Sequence, residues 1–228
     1  MIDPAQVAAV ARKELEARAD PAKAEPMQRY MKTEDPFFGV QRPGQRVIER
    51  ELRRRFVPEG AGDWEAAVRA LWAGPERELQ YLAIGYAKGF RRRYLTLAAV
   101  PLFEELVRDA GWWDRVDDLA ANCLGPVVAR HREAMRPILE RWIEDPDLWI
   151  RRTAILVHLK HGGETDVPML FEFCRRQASD RTFWIRKAIG WALRQHARTD
   201  PQAVRAFVGE LGDALSGLSR REATKHLG

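Results

Sequence analysis

Gly111-Trp112-Trp113-Asp114-Arg115-Val116-Asp117 is the stretch on which the fold turns, because its theme returns twice downstream. It reappears as Trp149-Ile150-Arg151-Arg152 and as Trp184-Ile185-Arg186-Lys187, the last followed by Trp191. Trp112, Trp149 and Trp184 stand 37 and then 35 positions apart, each at the opening of a helical pattern. About one period earlier, Glu76-Arg77-Glu78-Leu79-Gln80-Tyr81 carries the same theme with Tyr81 as its aromatic residue. The turns ahead of these helices also rhyme: Ala73-Gly74-Pro75, Asp109-Ala110-Gly111, Glu144-Asp145-Pro146-Asp147 and Ala178-Ser179-Asp180.

Two helices per period of this length mark a HEAT-type array, in which each unit buries its apolar face against its neighbours. The predicted fold is therefore all-α, a HEAT-like repeat α-solenoid forming a single domain over 1–228. Equivalent residues of successive second helices are expected to line one basic concave groove. No alternating strand pattern interrupts the reading. An amphipathic first helix is predicted over Val7–Ala19, ending near Asp20-Pro21, then a short helix or turn from Pro26 and a loop through Asp35-Pro36-Phe37-Phe38-Gly39-Val40 to Arg42-Pro43-Gly44. Further helices are predicted near 44–57, 63–73, 76–91, 94–109, 112–123, 126–143, 147–161, 164–178, 180–197 and 200–215. Gly85 and Gly89 fall inside one of them, where they point to close helix packing.

Composition narrows the class. The chain has 228 residues, 46% hydrophobic and 31% charged, which is an ordinary globular balance with length enough for a continuous core. Its formal net charge of +5 favours a polyanionic partner without demanding one. Cys123 and Cys174, the only cysteines, lie in apolar stretches and read as buried thiols of a reducing cytosol. No signal peptide or membrane span is expected. No Gly-rich phosphate loop, nucleophile elbow or Cys–His constellation stands out, and His158 and His161 lack matching metal ligands, so neither metal nor cofactor is expected.

The candidate site is built from the repeat. Trp112, Val116, Leu119, Ala120 and Cys123 form a core stripe, which leaves Trp113 and Asp117, four apart, on an adjoining face. Taken alone they also suit an interfacial tryptophan and an acid satisfied by a neighbouring arginine. Arg151 and Arg152 interrupt an apolar helix, where cations are costly unless paired; they either emerge at the groove edge to meet phosphate or pair with an acid such as Asp117 or Glu144. Trp191 sits between Lys187 and Arg194 on one helical face, as a half-exposed stacking platform would. The repeat gathers Trp113, Asp117, Arg152, Lys187 and Trp191 into one groove. Aromatic faces and one anion suit a cationic, sugar-like transition state, and the cations suit a phosphate backbone.

These stretches, together with Tyr30-Met31-Lys32, Pro36-Phe37-Phe38-Gly39-Val40, Arg77-Glu78-Leu79-Gln80-Tyr81, Phe183-Trp184-Ile185-Arg186-Lys187-Ala188-Ile189-Gly190-Trp191 and Leu218-Ser219-Arg220-Arg221-Glu222-Ala223, resemble the HEAT-repeat DNA glycosylases of the AlkD-like DNA alkylation repair family. The resemblance spans nearly the whole chain. It implies that Asp117 is the catalytic carboxylate, that Trp113 and Trp191 wall the cleft, that Arg152 contacts the phosphate backbone and that Tyr30 lies near the lesion-facing end of the groove. Arg151, Lys187, Arg194 and Arg220 are the further expected DNA contacts. The implied activity is monofunctional hydrolysis of the N-glycosidic bond of cationic N3- or N7-alkylated purines in duplex DNA, such as 3-methyladenine and 7-methylguanine. The protein is expected to be a cytoplasmic, nucleoid-associated monomer. The rival readings are a non-catalytic nucleic-acid-binding HEAT scaffold and a HEAT protein-interaction module.

Overall fold

The structure, a computed structural model, describes residues 1–227 as helices joined by short loops, with no strand among the described residues. The predicted all-α class holds. The chain divides into two compact units, Met1–Leu95 and a second beginning at Thr96.

The first unit contains α1 (Pro4–Glu16), α2 (Pro21–Met31), α3 (Arg42–Arg55), α4 (Ala61–Trp72), α5 (Arg77–Gly89) and the single turn α6 (Arg91–Tyr94). Asp3 and Asp20 cap α1 and α2 by accepting the backbone N–H of Ala5 and Ala22, and a proline follows each cap. An acidic cap and a proline in the first turn together define a helix start. So α1 begins ahead of the predicted Val7, and Asp20-Pro21 opens a second helix rather than closing the first. Val7, Ala11 and Leu15, one helical turn apart, are fully buried where α1 meets α3, α4 and α5. At Gly85 a Cβ would come within 2.2 Å of the Glu49 carboxylate, which accounts for a glycine in mid-helix.

The loop before α3 is fixed by one side chain. Glu78 is fully buried, and its carboxylate accepts the backbone N–H groups of Phe38 (3.1 Å), Gly39 (2.9 Å) and Val40 (3.1 Å). Gly39 has φ +83°, and a Cβ there would meet the Asp20 carbonyl oxygen at 2.1 Å. Beside it, buried Arg77 pairs with Asp35 and donates to Thr33. Arg77 and Glu78 thus hold a loop, and the conspicuous Phe38-Gly39-Val40 run is what they hold.

The second unit contains α7 (Val100–Ala110), α8 (Trp113–Leu119), α9 (Gly125–Arg130), α10 (Arg132–Trp142), α11 (Leu148–Leu156), α12 (Val167–Arg176), α13 (Phe183–His196), α14 (Pro201–Leu211) and α15 (Gly217–Thr224). Helices α10–α11 and α14–α15 pack as hairpins, α12 touches α13 where Phe171 meets His196, and the later helices stack in a row in which α8 meets α11, α11 meets α13 and α13 meets α15. That is the helical-repeat arrangement expected from the period. Trp112, Trp149 and Trp184 come together, with ring centroids 5.3–6.0 Å apart, so residues one repeat apart in sequence are neighbours in space.

Boundaries in the second unit also differ from the sequence reading. Helix α7 starts at Val100, after a 3₁₀ turn at Leu97–Ala99. The helix predicted over 112–123 runs on through a π-helical turn, Ala120–Leu124, into α9, and the break falls at His131 instead. Pro126 supplies the reason: it has no N–H for the carbonyl four residues back, and a π turn absorbs that missing bond without ending the helix. The closing helix α15 lies beyond the last predicted one.

Candidate active site

Asp117 is set by the start of α8. Gly111 ends α7 in the left-handed region (φ +53°), Trp112 is extended, and α8 begins at Trp113. Trp113, Asp117 and Ala121 follow at intervals of four, and the π turn begins three residues after Asp117. Such turns re-aim the side chains beside them and recur at functional sites.

Asp117 and Arg152 form a buried pair. Arg152 donates from Nε to Oδ1 at 2.7 Å and from Nη2 to Oδ2 at 2.8 Å, and its Nη1 donates to the Trp184 carbonyl oxygen. Only 9% of Asp117 and 3% of Arg152 is exposed. The guanidinium also lies 5.9 Å from the centroid of the Trp184 ring. Burial pushes the Asp117 carboxyl above its ordinary range, Arg152 opposes that, and Asp114 and Asp118 add to the rise. A bidentate guanidinium on both oxygens favours the ionised carboxylate against that rise. Breaking such a pair from one side costs about 3–5 kcal/mol, because the partner is left charged and buried. Arg152 is therefore first of all the residue that aims Asp117.

Asp117 fronts a cleft of about 320 Å³, lined also by Asp118, Ala121, Asn122, Leu159, Lys160, Trp191 and Gln195. Trp191, from α13, is half-buried and stands as the aromatic wall. Trp113 is half-buried too, but lies outside this lining. A hydrogen-bonded chain edges the cleft: Lys160 Nζ donates to Asn122 Oδ1, and Asn122 Nδ2 donates to Asp118 Oδ1 at 2.6 Å. The sequence reading missed Asp118, Asn122, Lys160 and Gln195. The spacing of Asp118 and Asn122, four apart and one step round from Asp117, was the available signal.

The expected phosphate ligands all carry internal partners. Arg151 donates to the carbonyls of Asp145 (2.7 Å) and Pro146 (3.1 Å) and pairs with Asp180 at 3.1 Å, bracing the turns at the head of α11. Lys187 and Arg194 share Glu222. Arg220 binds the Gly212 carbonyl oxygen and lies 3.3 Å from Asp213. Tyr30 is on α2 in the first unit, 72% exposed.

With this geometry in place, comparison with known proteins decides the family. The sequence matches the model of the DNA alkylation repair enzymes over residues 11–227. This chain belongs to that family. Among solved structures it is similar to a predicted DNA alkylation repair enzyme from Enterococcus faecalis, at 31% identity and TM-score 0.84, over 92% of this chain and 97% of that one. The crystal structure of smu.31 from Streptococcus mutans UA159 shares the fold, with TM-score 0.61 at 15% identity over 79% of this chain and 90% of that one. No curated protein matches the chain by sequence. Membership of the DNA alkylation repair family implies DNA as partner and a role in DNA repair. No helix among the described residues is long and apolar enough to cross a membrane.

Proposed function

We propose that this member of the DNA alkylation repair family is a monofunctional glycosylase that hydrolyses the N-glycosidic bond of cationic N3- or N7-alkylated purines in duplex DNA. The observation that carries the reading is a carboxylate, Asp117, held rigidly by Arg152 at the wall of a cleft faced by the Trp191 ring. An alkylated purine already bears a positive charge and leaves as a neutral base, so no acid has to protonate it. As the bond from C1′ to the base nitrogen breaks, its electron pair goes to the purine and positive charge develops on the sugar. A fixed anion stabilises that charge, and its preorganisation spares reorganisation at the moment of reaction. Water then adds to C1′, and its proton passes to Asp117 or to solvent. The Trp191 face adds cation–π stabilisation and keeps water from weakening the field. A neutral lesion such as uracil lacks the built-in leaving ability and is a poor substrate on this logic.

Residues 1–228 act in this proposal as one DNA glycosylase domain, a cytoplasmic, nucleoid-associated monomer that needs no cofactor. Arg151, Arg152, Lys187, Arg194, Arg220 and Tyr30 are its proposed DNA contacts, and Trp113 its second aromatic wall. The internal partners of the cations refine those roles: Arg152 has N–H groups left over for a phosphate while still holding Asp117, since a guanidinium carries five.

The test is release of free base from duplex DNA carrying 7-methylguanine or 3-methyladenine, with DNA affinity measured alongside. Release by the native chain, and its loss in Asp117→Asn at preserved affinity, is the expected result. Binding without release of either base by the native chain overturns the enzyme reading and leaves a nucleic-acid-binding scaffold.

A further inference from the structure

Asp117, Arg152, Lys187 and Glu222 stand 35 residues apart in succession, one repeat each, on α8, α11, α13 and α15. They form a column of one acid, two cations and one acid along the stacked row. The column closes in two pairs, each spanning one repeat: Arg152 with Asp117, and Lys187 with Glu222 at 2.8 Å. The two pairs differ in access. In the first, the side chains are 4% and 11% exposed; in the second, 37% and 20%.

Glu222 does more than Asp117 does, for it spans two cations. Its Oε1 accepts Lys187 Nζ and its Oε2 accepts Arg194 Nη1. Lys187 and Arg194 flank Gly190 on one side of α13, and α15 lies so close there that a Cβ on Gly190 would meet the Glu222 Cβ at 2.4 Å and the Ser219 carbonyl oxygen at 3.0 Å. Ser219 Oγ donates to the Arg186 carbonyl at 2.9 Å, pinning α15 in that position independently of Glu222. Two oxygens of one anion, each on a different cation, is also how the non-bridging oxygens of a phosphodiester would be held.

We infer that Glu222 is a built-in competitor for the phosphate site formed by Lys187 and Arg194, and so sets how tightly this face holds any DNA backbone. The inference rests on the DNA-binding reading proposed above. In the free protein the carboxylate occupies the two cations. When a phosphate takes them, Glu222 is released toward solvent and recruits a counterion. Each phosphate neutralised by the protein frees about one cation from DNA, so the cation taken up by Glu222 offsets one of those released. The carboxylate therefore lowers both the affinity and its salt dependence.

The experiment is binding of undamaged duplex DNA by the full chain across a salt series, for the native protein and Glu222→Gln, with thermal melts of both. The expected result is affinity tighter by on the order of fivefold at low salt, the scale of the two partly exposed ion pairs of Glu222 no longer in competition, and a log–log salt slope steeper by about one. Unchanged or weaker binding with an unchanged slope, at a preserved melting temperature, overturns the inference while leaving DNA binding intact. Glu222→Ala, which removes the carboxylate without adding an amide, must move the slope the same way and decides the matter should Glu222→Gln not fold. If the native chain binds no duplex at any salt, the DNA-binding reading itself fails and this inference falls with it.

Discussion

Glu78 in the first unit and Asp117 in the second are both buried acids at the most conspicuous motifs of the sequence, yet they are used in opposite ways. Glu78 accepts three neutral backbone N–H groups and is fully buried. Asp117 accepts one bidentate cation and faces open space beside an aromatic ring. Burial pushes both carboxyls upward, so a raised pKa does not separate them. What separates them is the partner and the access. Peptide donors saturate the Glu78 carboxylate to shape a loop, whereas a guanidinium fixes the Asp117 carboxylate in position while leaving it open to a substrate.

Changing each acid to its amide breaks the comparison if the roles are misassigned. Asp117→Asn is expected to lower base release by about 10²–10³-fold, the scale on which a single preorganised electrostatic group acts, with the DNA complex still formed. Glu78→Gln retains one acceptor oxygen for three donors and turns an NH2 toward a backbone N–H that had an acceptor. Leaving buried N–H groups unsatisfied costs about 1–3 kcal/mol each, so a loss of roughly 2–4 kcal/mol in urea unfolding is expected, with release per folded molecule unchanged. A Glu78→Gln variant that is stable but inactive would place Glu78 in the chemistry and dissolve the contrast.

The same contrast explains what the sequence revealed. The aromatic ladder of Trp112, Trp149 and Trp184 was legible because a repeat places equivalent residues in contact, so spacing alone predicts the neighbours. Arg152 was open between phosphate, Asp117 and Glu144; the structure gives it Asp117, and Glu144 goes to Arg176 instead. Carrying the interval of 35 one step further along the chain would have found Glu222. Other features had no such signal. The loop clamp joins Phe38 to Glu78 across 40 residues, outside any repeat relation. Lys160, in the turn after α11, and Gln195, on α13, reach the cleft from elements whose mutual packing no local pattern records, and a proline at position 126 reads in sequence as a boundary rather than as a helix that continues.

Arg152 sharpens the comparison through pH. In the proposed reaction Asp117 acts only as an anion, so base release is expected to fall as pH drops through its pKa, which burial has raised and Arg152 opposes. Arg152→Gln removes the opposing cation, and the carboxyl moves further up. The acid limb of the single-turnover rate therefore shifts to higher pH in the variant, by about one pH unit or more for an opposite charge removed at contact. Unmoved limbs would mean that another group controls the profile. Glu78→Gln is expected to leave the limb in place.

His158 extends the contrast to a buried base. It is 3% exposed, neither ring nitrogen has a hydrogen-bond partner, and it lies edge-on to His161 with ring centroids 5.5 Å apart. Burial, followed by the neighbouring His161, lowers its pKa to about 3; Asp166 opposes, while Arg132 and His196 add to the fall. The folded protein thus holds His158 neutral where the unfolded chain protonates it near pH 6.5. Its neutral state costs folding nothing above about pH 6.5, and stability declines as pH falls from there toward 3, because the unfolded state binds the extra proton. His158→Phe removes that proton sink, so the melting temperature should fall less steeply between pH 6.5 and pH 4 than in the native chain, while base release at neutral pH is retained. Parallel melting curves would show that His161 or His196, whose pKa values are also lowered by burial, carries the acid sensitivity instead.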